Sequence, residues 1–579
     1  MSIPNSRRSF ELNLPATHMC GLLTETEIAE YLTLEFPQHR FPRAFPQLIH
    51  TKTEGSPLFM ADLVRYLRDH NVIANTSGAW ALEQTLPDIE RELPESVRGM
   101  IERKIAQLSE EDRKLLTCAS VQGYEFDSAT IAQALPLEVE AVEERLEQLE
   151  RVFAFVKMTG EAEFPNHALT VKYRFIHVLY QNQLFASLRT RPRLALSREV
   201  AHALESFYGP QAATIANDLA RLWEEARDYE HAADAFLQAA RNAVQANTQR
   251  EALQLAQRGI GVLQKLPDTP QRAASEVKLQ LICGISLIAI ESWSAAATGE
   301  VFQRACQLCE QIGDHDQLFV ATPGMLAYHA IRGDYITAFA HCNRLVQLAE
   351  QSRNPHHLAY AYYCHLVVAL HTGALTVARS WLEKALAIEL GEYALDVSIL
   401  GDAVGVTLHH FGACTICNLG YFDQAWAMIN EGLSLAKKSK HPFTRGRAIC
   451  ATGTIHCYRK EYDLAITLYD DVFSLGKEYD VGTWLDYAYV QRSVAVAFLT
   501  PTTQALDQVR QCNQMLRAAN VSLELPMSLI WQAEICGLVG QYTEGVKDID
   551  EVFALIEQTG ERNWLSEAWR VKGELLLKA

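Results

Sequence analysis

Apolar helical faces and short polar turns alternate at a nearly constant stride through the C-terminal half of this sequence. Intervals of 40, 47, 40, 40 and 40 residues separate small residues that each follow a turn, at Ala338, Ala378, Ala425, Ala465, Ala505 and Gly545. Glycines stand five positions before four of them, at Gly333, Gly373, Gly420 and Gly540. A template that recurs at this length predicts a solenoid of helical hairpins.

The segment that begins at Tyr229 carries the packing pattern of such a hairpin. Ala232 and Ala239 are small positions at which helices can cross closely, and Phe236 is the large side chain that fills the adjacent groove. The same triplet recurs at Thr298, Phe302 and Ala305. The segment resembles the second helix of a tetratricopeptide repeat, so the predicted fold is mainly all-α, an α-helical solenoid of tetratricopeptide-like repeats.

The stride also predicts where the array departs from regularity. The 47-residue interval holds seven extra residues near Leu390–Gly405, which indicate a longer turn or a bulging loop. The next small marker would fall beyond Ala579, so we expect the last helix either to cap the array or to belong to a longer protein.

The first ninety residues contain a helix start and a sharp corner. Thr24 and Glu27 have the spacing of a capping box that opens an amphipathic helix. At the corner, Gly55 suits a helix end, Ser56 an N-cap and Pro57 the first turn of the next helix. These residues predict a helix–helix turn.

A small winged-helix-like module with a short β-hairpin is predicted between residues 91 and 190. Three helix signals come first, at Leu93–Val97, at Leu108–Asp112 and along Val142, Leu146 and Leu149. Alternating Phe153 and Phe155, followed across a polar loop by Tyr173 and Phe175, predict the hairpin.

The charge of the chain argues against nucleic acid and anionic lipid as partners. The 52 basic and 70 acidic residues leave a formal net charge of -18, which repels phosphate groups. The presumptive recognition helix, Leu137–Arg151, is rich in glutamate. The arginines that follow it are interpreted as a solvated linker or a domain contact, at Arg189, Arg191, Arg193 and Arg198.

Cysteine usage and hydropathy predict the compartment. Thirteen cysteines have no framework spacing, and the N-terminus has no apolar signal core, so we expect a reducing cytoplasm. The fully apolar stretch around Leu281–Ile290 is too short to span a bilayer, so no membrane partner is predicted.

Three segments resemble, in the right order, bacterial signal-transduction ATPases of the STAND class. Glu54-Gly-Ser-Pro-Leu-Phe59 looks like the corner that closes their ATPase core. Leu93–Val97, Leu115–Phe126 and Tyr173–Gln181 look like the winged helix that follows it. The repeats and the ending Lys572-Gly-Glu-Leu-Leu-Leu577 resemble the arms of members fused to nucleotide cyclases, kinases or transcription regulators.

The resemblance implies a nucleotide-binding role for three residues. In the Gly55-Ser56-Pro57 motif, Pro57 would lie against the adenine, and His177 would touch the β-phosphate of ADP. The alternatives are a plain helix–helix turn at Gly55 and Pro57 and a structural histidine at position 177.

The chemistry that would complete a catalytic site does not occur in the sequence. There is no Gly-x-x-x-x-Gly-Lys run followed by Ser or Thr to cradle phosphates. We therefore predict no ATP hydrolysis and no cofactor in this chain, with ATP or ADP bound only when a P-loop core is supplied. The pairs Cys306/Cys309 and Cys414/Cys417, the latter near His410, lack a fourth ligand, so no metal site is predicted.

Together these patterns predict a non-enzymatic regulatory protein with three regions. They are an ATPase lid remnant at 1–90, the winged-helix-like module at 91–190 and the repeat superhelix at 191–579. The concave face of the repeats is expected to bind a protein or peptide, with self-association as a further option. The alternatives are a nucleotide-responsive switch and a transcription regulator of the same class.

Overall fold

The protein is mainly helical and divides into two compact units. The computed structural model describes residues 23–53, 55–69, 72–76, 79–86, 89, 97–395, 403–439, 441–479 and 482–579. The first unit comprises Met1–Ala212 with Glu225–Arg227, and the second comprises Ala213–Glu224 with Asp228–Ala579. Helix α10, Ala216–Glu225, contains the point of division.

The first unit begins with three helices and a small hairpin and continues into a mixed module. Its elements are α1 Glu25–Glu35, α2 Phe45–Thr53, α3 Pro57–Asp69, β1 Ile73–Thr76, β2 Ala79–Leu82, α4 Val97–Ala106, α5 Glu110–Gln122, β3 Glu125–Asp127, α6 Ser128–Ala134, α7 Val139–Gln148, β4 Val156–Glu163, β5 Leu169–Phe175, α8 Val178–Ser187 and α9 Thr190–Tyr208. The predicted capping box starts α1, because the Thr24 hydroxyl accepts from the Glu27 amide and the Glu27 carboxylate accepts from the Thr24 amide.

The mixed module contains the predicted hairpin in a shifted register. Strands β4 and β5 pair antiparallel, with Val156 opposite Phe175. Phe153 ends a short π-helical turn instead of opening the strand, because Ala154 adopts a left-handed conformation with φ of 50°. A third strand that the sequence analysis missed, β3, pairs with β5 on its other side. Glu54 and Leu93–Ser96 lie outside the described residues.

The first unit extends beyond residue 190, where the repeat array was predicted to begin. Helix α9 packs against α5 and α6, and the ring of Phe207 near its end stacks on Phe164 with centroids 4.4 Å apart. Three of the arginines interpreted as a linker, Arg191, Arg193 and Arg198, are therefore helical residues of α9. The boundary predicted between residues 90 and 91 falls outside the described residues.

The second unit is an α-helical solenoid. After α10 come α11 Tyr229–Gln245, α12 Gln249–Leu263, α13 Pro270–Ile290, α14 Ala296–Ile312, α15 His315–Ile331, α16 Tyr335–Ser352, α17 Pro355–His371, α18 Leu375–Leu386, α19 Val404–Asn418, α20 Phe422–Lys438, α21 Pro442–Tyr458, α22 Tyr462–Glu478, α23 Gly482–Leu499, α24 Thr503–Ala518, α25 Leu525–Leu538, α26 Tyr542–Thr559 and α27 Leu565–Lys578. From α11 onward, each helix packs against the next, as the stride predicts. The predicted insertion near Leu390–Gly405 lies partly outside the described residues.

The turns within five of the pairs share one left-handed backbone conformation. The glycines that end the first helices have φ between +76° and +91°, a conformation that costs glycine little, at Gly333, Gly373, Gly420 and Gly540. Lys460 holds the equivalent position in another pair with φ of 61°. The turn geometry is therefore kept even where the residue type is not.

The small marker residues lie at the fourth position of the second helix. Each of these positions is buried, at Ala338, Ala378, Ala425, Ala465 and Gly545. Ala505 departs from this rule because it is the third residue of α24 and only half-buried, whereas Leu506 is the fourth and fully buried. The 40-residue stride thus misassigned this pair by one residue.

The pair alternation is interrupted between α11 and α14. Both helices carry the small–large–small triplet, in α11 at Ala232, Phe236 and Ala239, all buried. Two helices separate them instead of one. Gly259 in α12 makes this possible, because a Cβ there would come within 3.1 Å of Phe236 and 3.0 Å of Leu279.

Helix α13 is longer and more apolar than the sequence analysis suggested. Its 21 residues have the length and composition that could cross a membrane, and 56% of its apolar window is buried within the protein. Val277 and Leu279 are fully buried, and α13 packs against α12 and α14. It therefore serves as a core helix of the solenoid.

Candidate functional site

The repeat array curls back on itself, so that late turns contact early ones. The Ser522 and Leu523 amides donate to the Ile331 carbonyl at 2.7 and 3.0 Å, and the Asn563 amide donates to the His371 carbonyl at 3.2 Å. The Ser294 hydroxyl donates to the Ala519 carbonyl at 2.5 Å. We call the two late turns, residues 519–524 and 560–564, the closure loops.

Turn glycines allow this close approach. A Cβ on Gly333 would lie 2.7 Å from the Thr559 side chain, and one on Gly373 would lie 3.0 Å from the Cβ of Arg562. Both glycines also need their positive φ. The conformation that ends the first helix of a pair thus also makes room for the closure loops.

Each closure loop carries one glutamate into the interior. Glu561 is fully buried and accepts a hydrogen bond of 2.9 Å from the Tyr335 hydroxyl, and its other oxygen lies 3.4 Å from Nδ1 of His371. Burial and the charges of Glu561 and Glu524 raise the pKa of Tyr335 well above its ordinary value. Tyr335 is therefore a lasting hydrogen-bond donor to this carboxylate.

Glu524 is half-buried, and its backbone is strained. Its φ is +62°, a left-handed conformation that costs a non-glycine residue about 1–2 kcal/mol. Burial raises the pKa of the Glu524 carboxyl, and the charge of Glu561 adds to the rise, while His371, Tyr487 and Arg447 oppose it. The two carboxylates therefore share one electrostatic environment.

Aromatic rings and an arginine surround these carboxylates. The Tyr458 ring lies 5.4 Å from that of Trp564, and the Arg447 guanidinium lies 4.6 Å from the centre of the Trp484 ring and 6.0 Å from that of Phe411. Tyr458, Trp564 and Glu524 are half-buried, so solvent reaches the group. We call this group the inner cluster, which comprises Tyr335, His371, His410, Phe411, Arg447, Tyr458, Trp484, Tyr487, Gln491, Glu524, Glu561 and Trp564. Gln491 is included because it is buried and lies one helical turn after Tyr487 on the same face of α23.

Several buried polar atoms of the inner cluster have no hydrogen-bond partner among the described residues. They are His371 Nε2, His410 Nδ1, Trp484 Nε1, Gln491 Oε1 and Trp564 Nε1. Burial, together with the positive charge of Arg447, lowers the pKa of His410 to about 3, so its ring is neutral. Because a buried unpaired polar atom costs about 1–3 kcal/mol, this concentration makes the inner cluster the candidate site.

The structure places the three sequence-predicted nucleotide residues at one corner of the first unit. Gly55 has φ of +74°, and its carbonyl accepts from the Leu23 amide at 2.6 Å. Pro57 opens α3, and Phe59 from the same turn lies 5.4 Å from the ring of His177. The residues of the two motifs are therefore neighbours.

His177 also has a structural role. It precedes α8 as the N-cap, and its Nδ1 accepts from the Leu179 amide at 3.2 Å. Burial lowers its pKa, so the ring is neutral at physiological pH. A neutral ring whose Nδ1 accepts carries its proton on Nε2, which is the donor that a phosphate oxygen would need.

The helix expected to read DNA in a winged helix, α7, presents an acidic surface. Val142 and Leu146 face the core, whereas the exposed side holds Glu138, Glu140, Glu144 and Glu147. Arg145 pairs with Glu111 and adds no free positive charge. This surface would repel a phosphate backbone.

The cysteine pairs lie on solenoid helices. Burial raises the pKa of Cys306 to about 11 and of Cys309 to about 12, and raises that of Cys414 well above its ordinary value. Within the described part of the chain, no group of three or more His, Cys, Asp or Glu side chains is placed to hold a metal ion. These thiols pack as small apolar groups.

Comparisons with known proteins give only distant similarities. No known family profile matches the sequence, and no curated protein matches it. Among solved structures, a Rap protein complexed with competence and sporulation factor is 11% identical, with a TM-score of 0.39, covering 60% of this chain and 99% of that one. The apo quorum sensor NprR from B. thuringiensis is 12% identical, with a TM-score of 0.40, covering 63% and 98%.

A STAND protein is also among the similar structures. It is a signal-transduction ATPase with a tetratricopeptide repeat sensor from Pyrococcus horikoshii, 13% identical with a TM-score of 0.34, covering 96% of this chain and 72% of that one. At these scores the properties of the three proteins do not transfer to this chain. The solenoid and the inner cluster are described from this chain alone.

The sequence analysis missed the inner cluster entirely. Its residues come from four first helices of pairs, from the start of α16 and from two turns, without a common spacing. A signal was nevertheless present. Helices α17, α19 and α21 are buried along most of their length, yet they carry the polar residues His371, His410 and Arg447 at buried positions.

Proposed function

We propose that this protein is a non-catalytic regulatory protein whose solenoid binds a peptide or an extended protein segment in the inner cluster. The observation that carries the proposal is the set of unpartnered polar atoms at His371, His410, Trp484, Gln491 and Trp564. A peptide supplies both donors and acceptors along its backbone, so it can satisfy several of these atoms at once. The aromatic rings provide apolar contact area for its side chains.

Selection from a random decapeptide library on the immobilised full-length chain tests the proposal. We expect enriched peptides that bind with micromolar affinity and compete with one another for one site. Trp564→Ala should weaken them at least tenfold, because the indole belongs to the inner cluster. Trp569→Ala is the matched control, since this tryptophan lies on α27 and is 59% exposed. Absence of enriched peptides, or equal effects of the two variants, would overturn the proposal.

We infer a second function for the first unit, as a nucleotide-responsive switch of the STAND class. The contact between Phe59 and His177 supports it, because it brings the Pro57 corner and a neutral histidine donor together. The P-loop core would come from elsewhere, and the protein would work in the cytoplasm with the repeats as its sensor. Hydrolysis of ATP by this chain alone is not expected.

Titration of a fluorescent ADP analogue tests the switch. We expect binding only when a separately expressed P-loop core is added, and at least tenfold weaker binding for His177→Ala. His167→Ala is the control, because this histidine lies on the exposed hairpin of the same unit and pairs with Glu163. Equal binding by both variants, or phosphate release by the chain alone, would contradict this assignment.

A further inference from the structure

We propose that the inner cluster recognises a basic side chain of the bound peptide, with the guanidinium of an arginine as its best occupant. This inference rests on the proposed function and names the chemistry of the ligand. It follows from the unpartnered acceptors of the cluster, the charge of its two glutamates and the aromatic rings beside them.

The first argument is the count of hydrogen-bond acceptors. Gln491 Oε1 is an acceptor without a partner in the described structure. If His371 donates from Nδ1 to Glu561, its unpartnered Nε2 is an acceptor as well. The remaining oxygens of the two carboxylates add further acceptor sites. A guanidinium offers five N–H donors and no acceptor, which is the complement of this set.

The second argument is charge. Glu524 and Glu561 come from different closure loops, and the charge of Glu561 raises the pKa of the Glu524 carboxyl. Arg447 balances one of them, and the neutral ring of His410 contributes no charge. Since an unbalanced buried carboxylate is costly, a cation brought by the ligand would stabilise the ionised pair.

The third argument is the aromatic surroundings. A guanidinium stacks favourably on aromatic faces, and Arg447 already uses Trp484 in this way. Tyr458 and Trp564 form a second half-buried aromatic pair next to the loop that carries Glu561. The unpartnered indole N–H groups of Trp484 and Trp564 would donate to backbone carbonyls of the same peptide.

The backbone holds the loop that carries Glu524 in one defined position. Glu524 occupies a left-handed conformation that glycine or asparagine would adopt more easily. Its loop is fixed by two hydrogen bonds from Ser522 and Leu523 to Ile331.

Fluorescence anisotropy of the full-length chain with three labelled nonapeptide pools tests the inference. Each pool has random neutral residues at eight positions, with arginine, citrulline or glutamate fixed at the centre. Citrulline is the neutral isostere of arginine. We expect the arginine pool to bind at least tenfold more tightly than the citrulline pool, and the glutamate pool to bind most weakly.

The glutamates are tested by substitution. In the double variant Glu524→Gln, Glu561→Gln, the preference for arginine over citrulline should fall to less than twofold. Glu557→Gln, an exposed residue near the end of α26, should keep the preference. If the double variant does not fold by circular dichroism, the comparison of the pools on the unmodified chain decides alone.

The outcomes separate the two levels of the proposal. If the arginine and citrulline pools bind equally, the basic-residue inference is wrong and peptide binding stands. If the glutamate pool binds best, the inference is also wrong. If no pool binds, peptide binding by the inner cluster is wrong as well.

Discussion

The helix-pair contacts and the inner cluster lie in the same unit but follow different rules. The pair contacts repeat along the chain and join neighbouring helices through small apolar residues such as Ala338 and Ala465, both fully buried. The inner cluster occurs once and joins residues as distant as Tyr335 and Glu561 through polar groups, some of them unpartnered. The first region stabilises the fold, and the unpartnered groups of the second are the ones that we propose bind a ligand.

The strongest test of this division is a substitution that creates a cavity among the helix-pair contacts. Phe302 is fully buried between Gly284 and Gly324, at which an added Cβ would come within 2.5 and 2.4 Å of its ring. Phe302→Ala should lower the free energy of unfolding by about 3–5 kcal/mol, measured by urea denaturation. Phe339→Ala, at a residue that is 50% exposed, should cost far less. Similar losses of unfolding free energy for both variants would show that the helix-pair contacts are not the main source of stability.

The next test concerns the register of α24. Leu506 is fully buried and Ala505 is half-buried, so Leu506→Ala should cost about 2–5 kcal/mol in the same assay. Ala505→Ser should change stability by less than about 1 kcal/mol. A larger loss of stability for Ala505→Ser than for Leu506→Ala would support the strict 40-residue stride and contradict the structure.

A smaller effect is expected in the inner cluster. Tyr335→Phe removes the hydrogen bond to Glu561, and loss of a bond to a charged acceptor costs about 1.5–3 kcal/mol. Hydrogen exchange should accelerate at the Ser522 and Leu523 amides and remain slow in α22. Tyr489→Phe, at a 41% exposed tyrosine, serves as the control. Uniform acceleration along the array would mean that the two regions unfold together.

The smallest expected effect is a pH dependence. The folded-state pKa of His410, about 3, lies below the ordinary value of 6.5, so the unfolded chain binds a proton first as the pH falls. Stability from this residue is complete above pH 6.5 and declines below it, by about 1 kcal/mol at pH 5.5. His410→Gln should remove that part of the decline. His315→Gln, an exposed residue at the start of α15, should not.

The sequence predicted those parts of the fold that depend on local or repeated signals. The turn glycines, the buried position of Ala338 and the hairpin that contains Tyr173 follow from helix ends, close crossings and alternation. Strand β3 was not predicted, because a strand of three residues shows too little alternation of apolar and polar side chains. The additional helix between α11 and α14 was not predicted, because α12 and α13 lack the small–large–small triplet.

The inner cluster could not have been predicted in the same way. Glu524 and Glu561 lie in turns, where glutamate is ordinary, and only the return of the array brings them to His371. No local preference encodes a contact between residues 190 positions apart. In contrast, the proximity of Pro57 to His177 was implied by family resemblance, and their nucleotide role stays a prediction.

The closure loops have a consequence for the order in which this protein can fold. The hydrogen bond from Ser294 to Ala519 spans 225 residues, so it forms only after most of the chain has left the ribosome. Pairs of neighbouring helices can assemble during synthesis, because their contacts are local. The inner cluster is therefore completed late in synthesis, and a nascent chain stopped before Glu561 would present folded helix pairs without it.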